Sequence, residues 1–269
     1  MVARDVPRKP ANVDDNTCTG SKVAPSEVAP TSSDGASAAV GASDSPSTGP
    51  SGTADPFLPA ADVGEWLSGK QFGVAVPDLK CADTDAYGAV PNILLFLAGQ
   101  LKGHGGLDKE GIFRVSGQKT KVAAARTALD SGDVAQALSN MDANVAANLI
   151  KLWFRELQPQ ALLNCLAESQ MVPAANGNDD AIQSLMEDEK AMPPLQRGIF
   201  MWLLDLLCAV VSNEPVNRMG PQAAGVVLAP NLWQSENANP IRDIELAQQA
   251  AKFLQKALKW RLASLGASA

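Results

Sequence analysis

From about residue 90 onward, apolar residues recur at the spacing of helices, with loop signals between the runs. In "VPNILLFLAGQL", Pro91 stands at a plausible first helical position, and Leu94, Leu97, Ala98 and Leu101 share one face. "QKTKVAAARTALDSG" turns Val122, Ala125 and Leu129 inward and stops at Gly132. In "DANVAANLIKLWFREL", Asp142 can cap the start, and Ala146, Ile150, Trp153 and Leu157 form the buried stripe. "GIFMWLLDLLCAVV", Gly198 to Val211, is the most hydrophobic run; it is too short to span a bilayer and carries Asp205, so it reads as a bundle core helix. "PQAAGVVLAP" is expected to end by Pro230, and a last helix runs from near Pro240 to about Leu265, burying Leu246, Ala250, Phe253, Ala257 and Trp260. "NGNDD" and "AMPPL" are loop signals, and no alternating β-branched run is long enough for a sheet. The expected fold is an all-α helical bundle over residues 65–265, with no solenoid repeat.

Composition changes this picture only at the N-terminus. Residues 1–60 are rich in Ala, Ser, Pro, Gly, Thr and Asp, with Phe57 the one aromatic, so they bury too little apolar surface to offset the entropy of ordering. Residues 1–64 are therefore expected to be a disordered, low-complexity tail. The first 60 residues carry four Lys/Arg and seven Asp/Glu, a net of −3, which leaves −4 of the total −7 for the remainder. An acidic chain of this kind is a poor candidate for a nucleic-acid binder. The tail lacks the Arg-rich, acid-poor character of a transit peptide, and no apolar leader, Gly at position 2 or C-terminal prenylatable Cys is present. A cytoplasmic protein without a transmembrane segment is expected.

Candidate chemistry is sparse. Cys18, Cys81, Cys165 and Cys208 are scattered without a close pair, so they suggest reduced structural thiols rather than disulfides or a metal site. One histidine, His104 in "KGHGG", excludes a His-rich metal centre and reads as a surface-loop residue. No G-x-x-x-x-G-K-[ST] or G-x-G-x-x-G loop occurs, so the chain brings no nucleotide pocket of its own.

Two basic features remain. On "DANVAANLIKLWFREL", the face opposite the apolar stripe carries Asn144, Asn148, Lys151 and Arg155. Lys151 and Arg155 are like charges one turn apart, unfavourable by a few tenths of a kcal/mol in an isolated helix. Either an anion offsets them, or the face is solvated and Glu156 or another carboxylate dilutes the repulsion. The second feature is "GLDKEGIFRVSG", Gly106 to Gly117, where Ile112 and Phe113 can anchor a glycine-bracketed loop while Arg114 faces out. An arginine presented in this way suits phosphoryl transfer on a partner: it stays charged, donates bidentately to phosphate oxygens, and is worth ~10³ to 10⁵ in rate. A surface salt bridge is the plain alternative.

The succession "FGV" (Phe72–Val74), "VPNIL", "GGLDKEGIFRVSG", "LIKLWFREL", "NRM" (Asn217–Met219) and "VVLAPNL" (Val226–Leu232) resembles the Rho-family GTPase-activating protein (RhoGAP) domain over nearly all of residues 70–262. "GGLDKEGIFR" and "APNLWQ" are most similar to the plant-type Rop GAPs. The resemblance implies a GTPase activator that works in trans on a GTP-bound Rho/Rac/Rop-type small GTPase. The GTP and Mg²⁺ belong to that partner, and the chain needs no cofactor or metal of its own. It implies that Arg114 is the arginine finger, that Lys151 and Arg155 are the basic pair supporting the finger loop and the GTPase interface, and that Pro230 lies in the segment facing the GTPase switch regions. Asn148, Asn217 and Asn231 join the same GTPase-binding and loop-supporting set. Recruitment to a membrane by the partner is compatible with this reading.

One position departs from the family pattern N-K-M-x-x-x-N-L: "NRMGPQAAGVV" places Ala223 where the second Asn is expected, and Pro221 suggests a shifted helix start. The loss bears on catalytic efficiency and leaves open a module that binds a small GTPase without activating it well. A helical scaffold for phosphoinositide heads or peptides through Lys151 and Arg155 is a further alternative. With His104 alone, the histidine-paired CRIB motif of plant-type relatives is not expected.

Overall fold

A computed structural model describes residues 63–234 and 239–267. The expected tail therefore lies almost wholly outside the described residues. Its expected boundary falls inside a short helical turn, α1 (Val63–Trp66).

Eleven helical segments are described. After α1 come α2 (Asn92–Gly103), α3 (Lys119–Asp130), α4 (Val134–Ser139), α5 (Ala143–Arg155), α6 (Glu168–Asn176), α7 (Asp179–Glu187), α8 (Pro194–Val211), the single turn α9 (Glu214–Asn217), α10 (Pro221–Leu232) and α11 (Pro240–Ala267). Short 3₁₀ turns occur at Val76–Asp78 and Leu162–Cys165. The fold is an all-α bundle, as the periodicity predicts.

Local chemistry accounts for several boundaries. Asp142 caps α5, its Oδ1 accepting the Val145 N–H at 2.9 Å, and Asp133 caps α4 through Gln136 N–H at the same distance. The chain leaves α3 through Gly132, whose φ of 78° is a left-handed conformation that most residues resist.

Helix α8 runs through the middle of the core, with Trp202, Leu203, Leu204, Leu206, Leu207 and Val210 fully buried. Phe200 stacks on Phe253 of α11 at 6.0 Å, and Trp153 meets Phe154 edge-on at 5.1 Å on α5. α2 packs on α5, α5 on α10, and α10 on α11.

Four expectations are corrected. A two-stranded antiparallel hairpin, β1 (Cys81–Thr84) and β2 (Gly88–Pro91), is present where no sheet was expected, with Cys81 opposite Pro91 and Thr84 opposite Gly88. Four-residue strands are too short to display an alternating pattern. Pro91 ends β2 and precedes α2 rather than opening it. α10 passes through Pro230 to Leu232: the proline sits in the last turn, so the distortion it causes falls on only two following residues. Trp260 is half-buried rather than buried.

α8 is also longer than its apolar run, since Pro194 supplies a pre-organised first residue. At 18 residues it is long and apolar enough to cross a membrane, yet 61% of it is buried within the protein. Its burial, not its length, makes it a core helix.

Candidate functional site

Asn217 organises the region around the glycine-bracketed stretch from Gly106 to Gly117. It is fully buried, and its Nδ2 donates to the carbonyls of Leu107 (2.7 Å) and Val210 (2.6 Å), while its Oδ1 accepts the Met219 N–H at 2.8 Å. Its own carbonyl accepts the Gly111 N–H at 2.8 Å. One amide thus joins the end of α8, the start of the glycine-bracketed loop and the approach to α10. Because Asn217 is sealed from solvent, it supports the loop and cannot touch a partner, which narrows the role first expected of it.

The loop itself is held rather than hinged. Gly111 has φ 69°, and a Cβ there would lie 2.9 Å from Val115 Cγ2. The Arg114 and Val115 N–H groups both return to the Gly111 carbonyl, at 2.9 and 2.7 Å. Phe113 is 1% exposed and adopts φ 65°, a left-handed conformation that a bulky residue enters only when its surroundings hold it there. Burying Phe113 and Ile112 on successive positions turns Arg114 outward, exposed to solvent. At the far end, Gly117 seats against the first turn of α5, where a Cβ would come within 3.0 Å of the Val145 nitrogen.

The ammonium of Lys151 donates to the carbonyl of Phe113, the residue whose backbone is strained. Burial, and secondarily the Arg155 charge, push the Lys151 pKa below the ordinary lysine value. Glu156, a candidate to dilute the basic pair, is engaged by Arg126 at 2.6 Å. Among the described residues, neither Lys151 nor Arg155 is in an ion pair. The two cations remain a basic surface rather than an internally neutralised one.

That surface lines a cleft of about 700 Å³ between α3, α5 and α10, bounded by Lys119, Arg126, Asn148, Lys151, Arg155 and Asn231. A second cleft, of about 440 Å³, contains Arg114 together with Glu214, Arg218, Ala223, Val226 and Lys259. Val227 of α10 borders both. Pro230 is exposed on the same helix, while Asn231 turns its amide back to the Val227 carbonyl at 3.1 Å and braces the turn that Pro230 interrupts. Asn144 does not line the cleft: its backbone meets Gly117, and its Oδ1 is buried without a hydrogen-bond partner among the described residues. His104 is exposed just after α2, beyond both clefts.

The structure thus brings Lys151, Arg155, Asn148 and Asn231 to one cleft and Arg114 and Ala223 to its neighbour. Sequence reasoning missed Arg126 and Lys119 in the first and Arg218 and Lys259 in the second. Lys119 and Arg126 had a helical phase that matched the polar face of α3, but nothing in that phase shows what the face meets. Lys259 is too distant in sequence to be linked to Arg114 by any pattern.

Comparison with known proteins converges on the same region. A family model described as the RhoGAP domain matches residues 91–237, more than half of the chain and inclusive of Arg114, Lys151, Arg155 and Asn217. Rho GTPase-activating protein gacA of Dictyostelium discoideum is 33% identical over 192 residues, covering 71% of this chain and 54% of the relative. Rho GTPase-activating protein 3 of Arabidopsis thaliana is 32% identical over 200 residues, covering 74% and 40% respectively. The chain therefore spans about half or less of the length of these relatives. The crystal structure of human Rho GTPase activating protein 15 superposes with a TM-score of 0.55 at 23% identity, covering 74% of this chain and 92% of that one, and so shows the shared fold. With the family model spanning the loop, the basic helix and the helix that borders both clefts, the chain belongs to the RhoGAP family.

Proposed function

We propose that the protein accelerates GTP hydrolysis by a Rho/Rac/Rop-type small GTPase, to which it supplies Arg114 in trans. The observation that carries the proposal is the posture of Arg114: exposed, next to a buried residue in a left-handed conformation, on a loop whose carbonyl is held by Lys151. A backbone held in this way presents the guanidinium with little reordering of the loop when it meets developing charge on a phosphate, a condition that favours electrostatic stabilisation. The partner brings GTP and Mg²⁺, so this chain is an activator rather than a nucleotide hydrolase. Residues 65–265 form the activating module. It operates in the cytoplasm and reaches the membrane with its partner, without nucleic acid.

In this reading Lys151 organises the finger loop through Phe113. Arg155, Asn148 and Pro230 meet the GTPase, while Asn217 and Asn231 act from within the fold. Ala223 favours a second reading. It borders the Arg114 cleft and offers no polar group there, as a module that binds the GTPase without efficient activation would require.

Single-turnover hydrolysis by a panel of GTP-loaded Rho, Rac and Rop-type GTPases separates the two. Acceleration by the wild type that Arg114→Ala removes is the expected result. Binding without acceleration, restored by Ala223→Asn, would establish the second reading instead.

A further inference from the structure

The cleft that holds Arg114 is built by three separate segments, and each contributes a cation. Arg114 comes from the finger loop, Arg218 from the corner between α9 and α10, and Lys259 from α11. All three are exposed, and among the described residues none is in an ion pair. One carboxylate, Glu214, shares the cleft, and it is packed against Gly220. The chain as a whole carries a net charge of −7, so an excess of cations at this place runs against its composition.

Arg218 makes a second point. Its φ is 58°, and it closes α9 through its N–H to the Glu214 carbonyl at 2.9 Å. Glycine or asparagine occupies such a helix end with less strain, so the backbone gives no reason for an arginine there. Lys259 projects into the same cleft from a helix that lies outside the matched residues 91–237.

We propose that Arg218 and Lys259 form a specificity-determining cationic patch that receives an acidic surface of the GTP-loaded GTPase beside the point where Arg114 enters. The patch rests on the proposed activating function but makes a distinct demand. It governs which partner binds and how tightly, while Arg114 governs the rate of the bound complex. Exposed cations of this sort steer association and discriminate partners by charge. Val226, 61% exposed, supplies apolar contact in the same cleft.

The test measures two quantities for Arg218→Glu, Lys259→Glu, the double variant, the conservative pair Arg218→Lys and Lys259→Arg, and a control reversal, Lys190→Glu, that lines neither cleft. The first quantity is affinity for the same GTPases loaded with a non-hydrolysable GTP analogue, at 50 and 200 mM salt. The second is single-turnover hydrolysis as a function of protein concentration.

Each reversal is expected to raise the half-saturating concentration about three- to tenfold at low salt for the GTPases that bind, with a smaller effect at high salt. The rate at saturation changes less than twofold, the conservative variants keep wild-type affinity, and the control has no effect. Arg114→Ala shows the opposite split. Unchanged affinity in both reversals would overturn the patch. In a parallel sedimentation assay with phosphatidylserine vesicles, reversals that spare GTPase affinity but abolish vesicle binding would also overturn it, assigning the cations to a lipid surface. Wild-type binding without acceleration sinks the Arg114 mechanism alone, and absence of binding to every GTPase overturns both readings.

Discussion

Asn217 shows how much a single side chain contributes when its surroundings are closed to water. It satisfies the Leu107 carbonyl and the Met219 N–H and adds a second donor to the Val210 carbonyl, which also accepts the Asn213 N–H at 3.1 Å. Asn217→Ala removes three hydrogen bonds and leaves the Met219 N–H and the Leu107 carbonyl without this partner, and urea unfolding should record a loss of about 3 kcal/mol. The expected companion effect is faster amide exchange at Gly111, whose N–H donates to the Asn217 carbonyl. A loss under 1 kcal/mol would mean that water replaces the amide. The thiols offer a second residue-scale prediction. Burial raises the Cys81 thiol above its usual range, pushes Cys165 up to about 11 and Cys208 up to about 12. At pH 8 these groups are overwhelmingly protonated in the folded protein, so a Cys18→Ser variant should react with a thiolate-selective reagent only as it unfolds. Rapid reaction of one thiol in the native state would contradict this. The expectation of inert structural cysteines is read from their scatter; only burial explains it physically.

At the scale of elements, the loop that carries Arg114 is a strained segment braced by a neighbouring helix. Lys151→Met keeps most of the apolar stem and removes the donor to the Phe113 carbonyl. The expected outcome is a drop in single-turnover rate of ten- to a hundredfold, about 1.4 to 2.8 kcal/mol, with faster amide exchange at Arg114 and Val115. A rate loss with unchanged exchange would instead place Lys151 in direct contact with the partner. The depressed Lys151 pKa also has a stability consequence. Below its folded pKa the buried ammonium is disfavoured relative to the unfolded chain, and as pH rises from there toward the ordinary lysine value this penalty is lifted, so its contribution to stability improves with pH in that window. Lys151→Met should flatten that dependence. Gly111→Ala tests the loop from the other side: a methyl at φ 69° and 2.9 Å from Val115 forces the loop to move, and activation should fall without loss of the bundle's helical signal.

Across the whole molecule, the hairpin, α8 and α11 are tied by a polar cluster that lines neither of the two clefts. Arg261 of α11 grips Asp205 of α8 through two bonds of 2.5 and 2.8 Å, and Tyr87 of the hairpin donates to the same carboxylate at 2.7 Å. Three elements distant in sequence are joined in this way. The Asp205 side chain is 13% exposed, so removing its partner leaves a nearly buried charge. Arg261→Ala should lower stability by about 3 kcal/mol in urea unfolding, while Tyr87→Phe costs about 1 kcal/mol. Equal effects would mean that packing of Arg261, rather than its charge, carries the cluster. Neither variant should alter partner affinity at saturating folded protein.

Helix formation was legible in the sequence because the apolar stripes of α2, α3, α5, α8 and α11 are local signals, set by a 3.6-residue period that needs no knowledge of the neighbours. The Asp142 cap and the Gly132 exit are local for the same reason. α4, α6, α7 and α9, of four to nine residues, and the hairpin were not, since so few residues carry too little periodicity. Arg114, Lys151 and Arg155 were legible through motif resemblance, whereas their own spacing left a solvated face equally open. What only the tertiary structure decided is how charges are distributed. Glu156 is drawn to Arg126, Asn217 is sealed inside, and Arg218 and Lys259 converge on the Arg114 cleft from segments 41 residues apart in sequence. Backbone periodicity acts over one or two turns, but electrostatic environment and burial depend on which distant surfaces meet, and chain packing alone determines that.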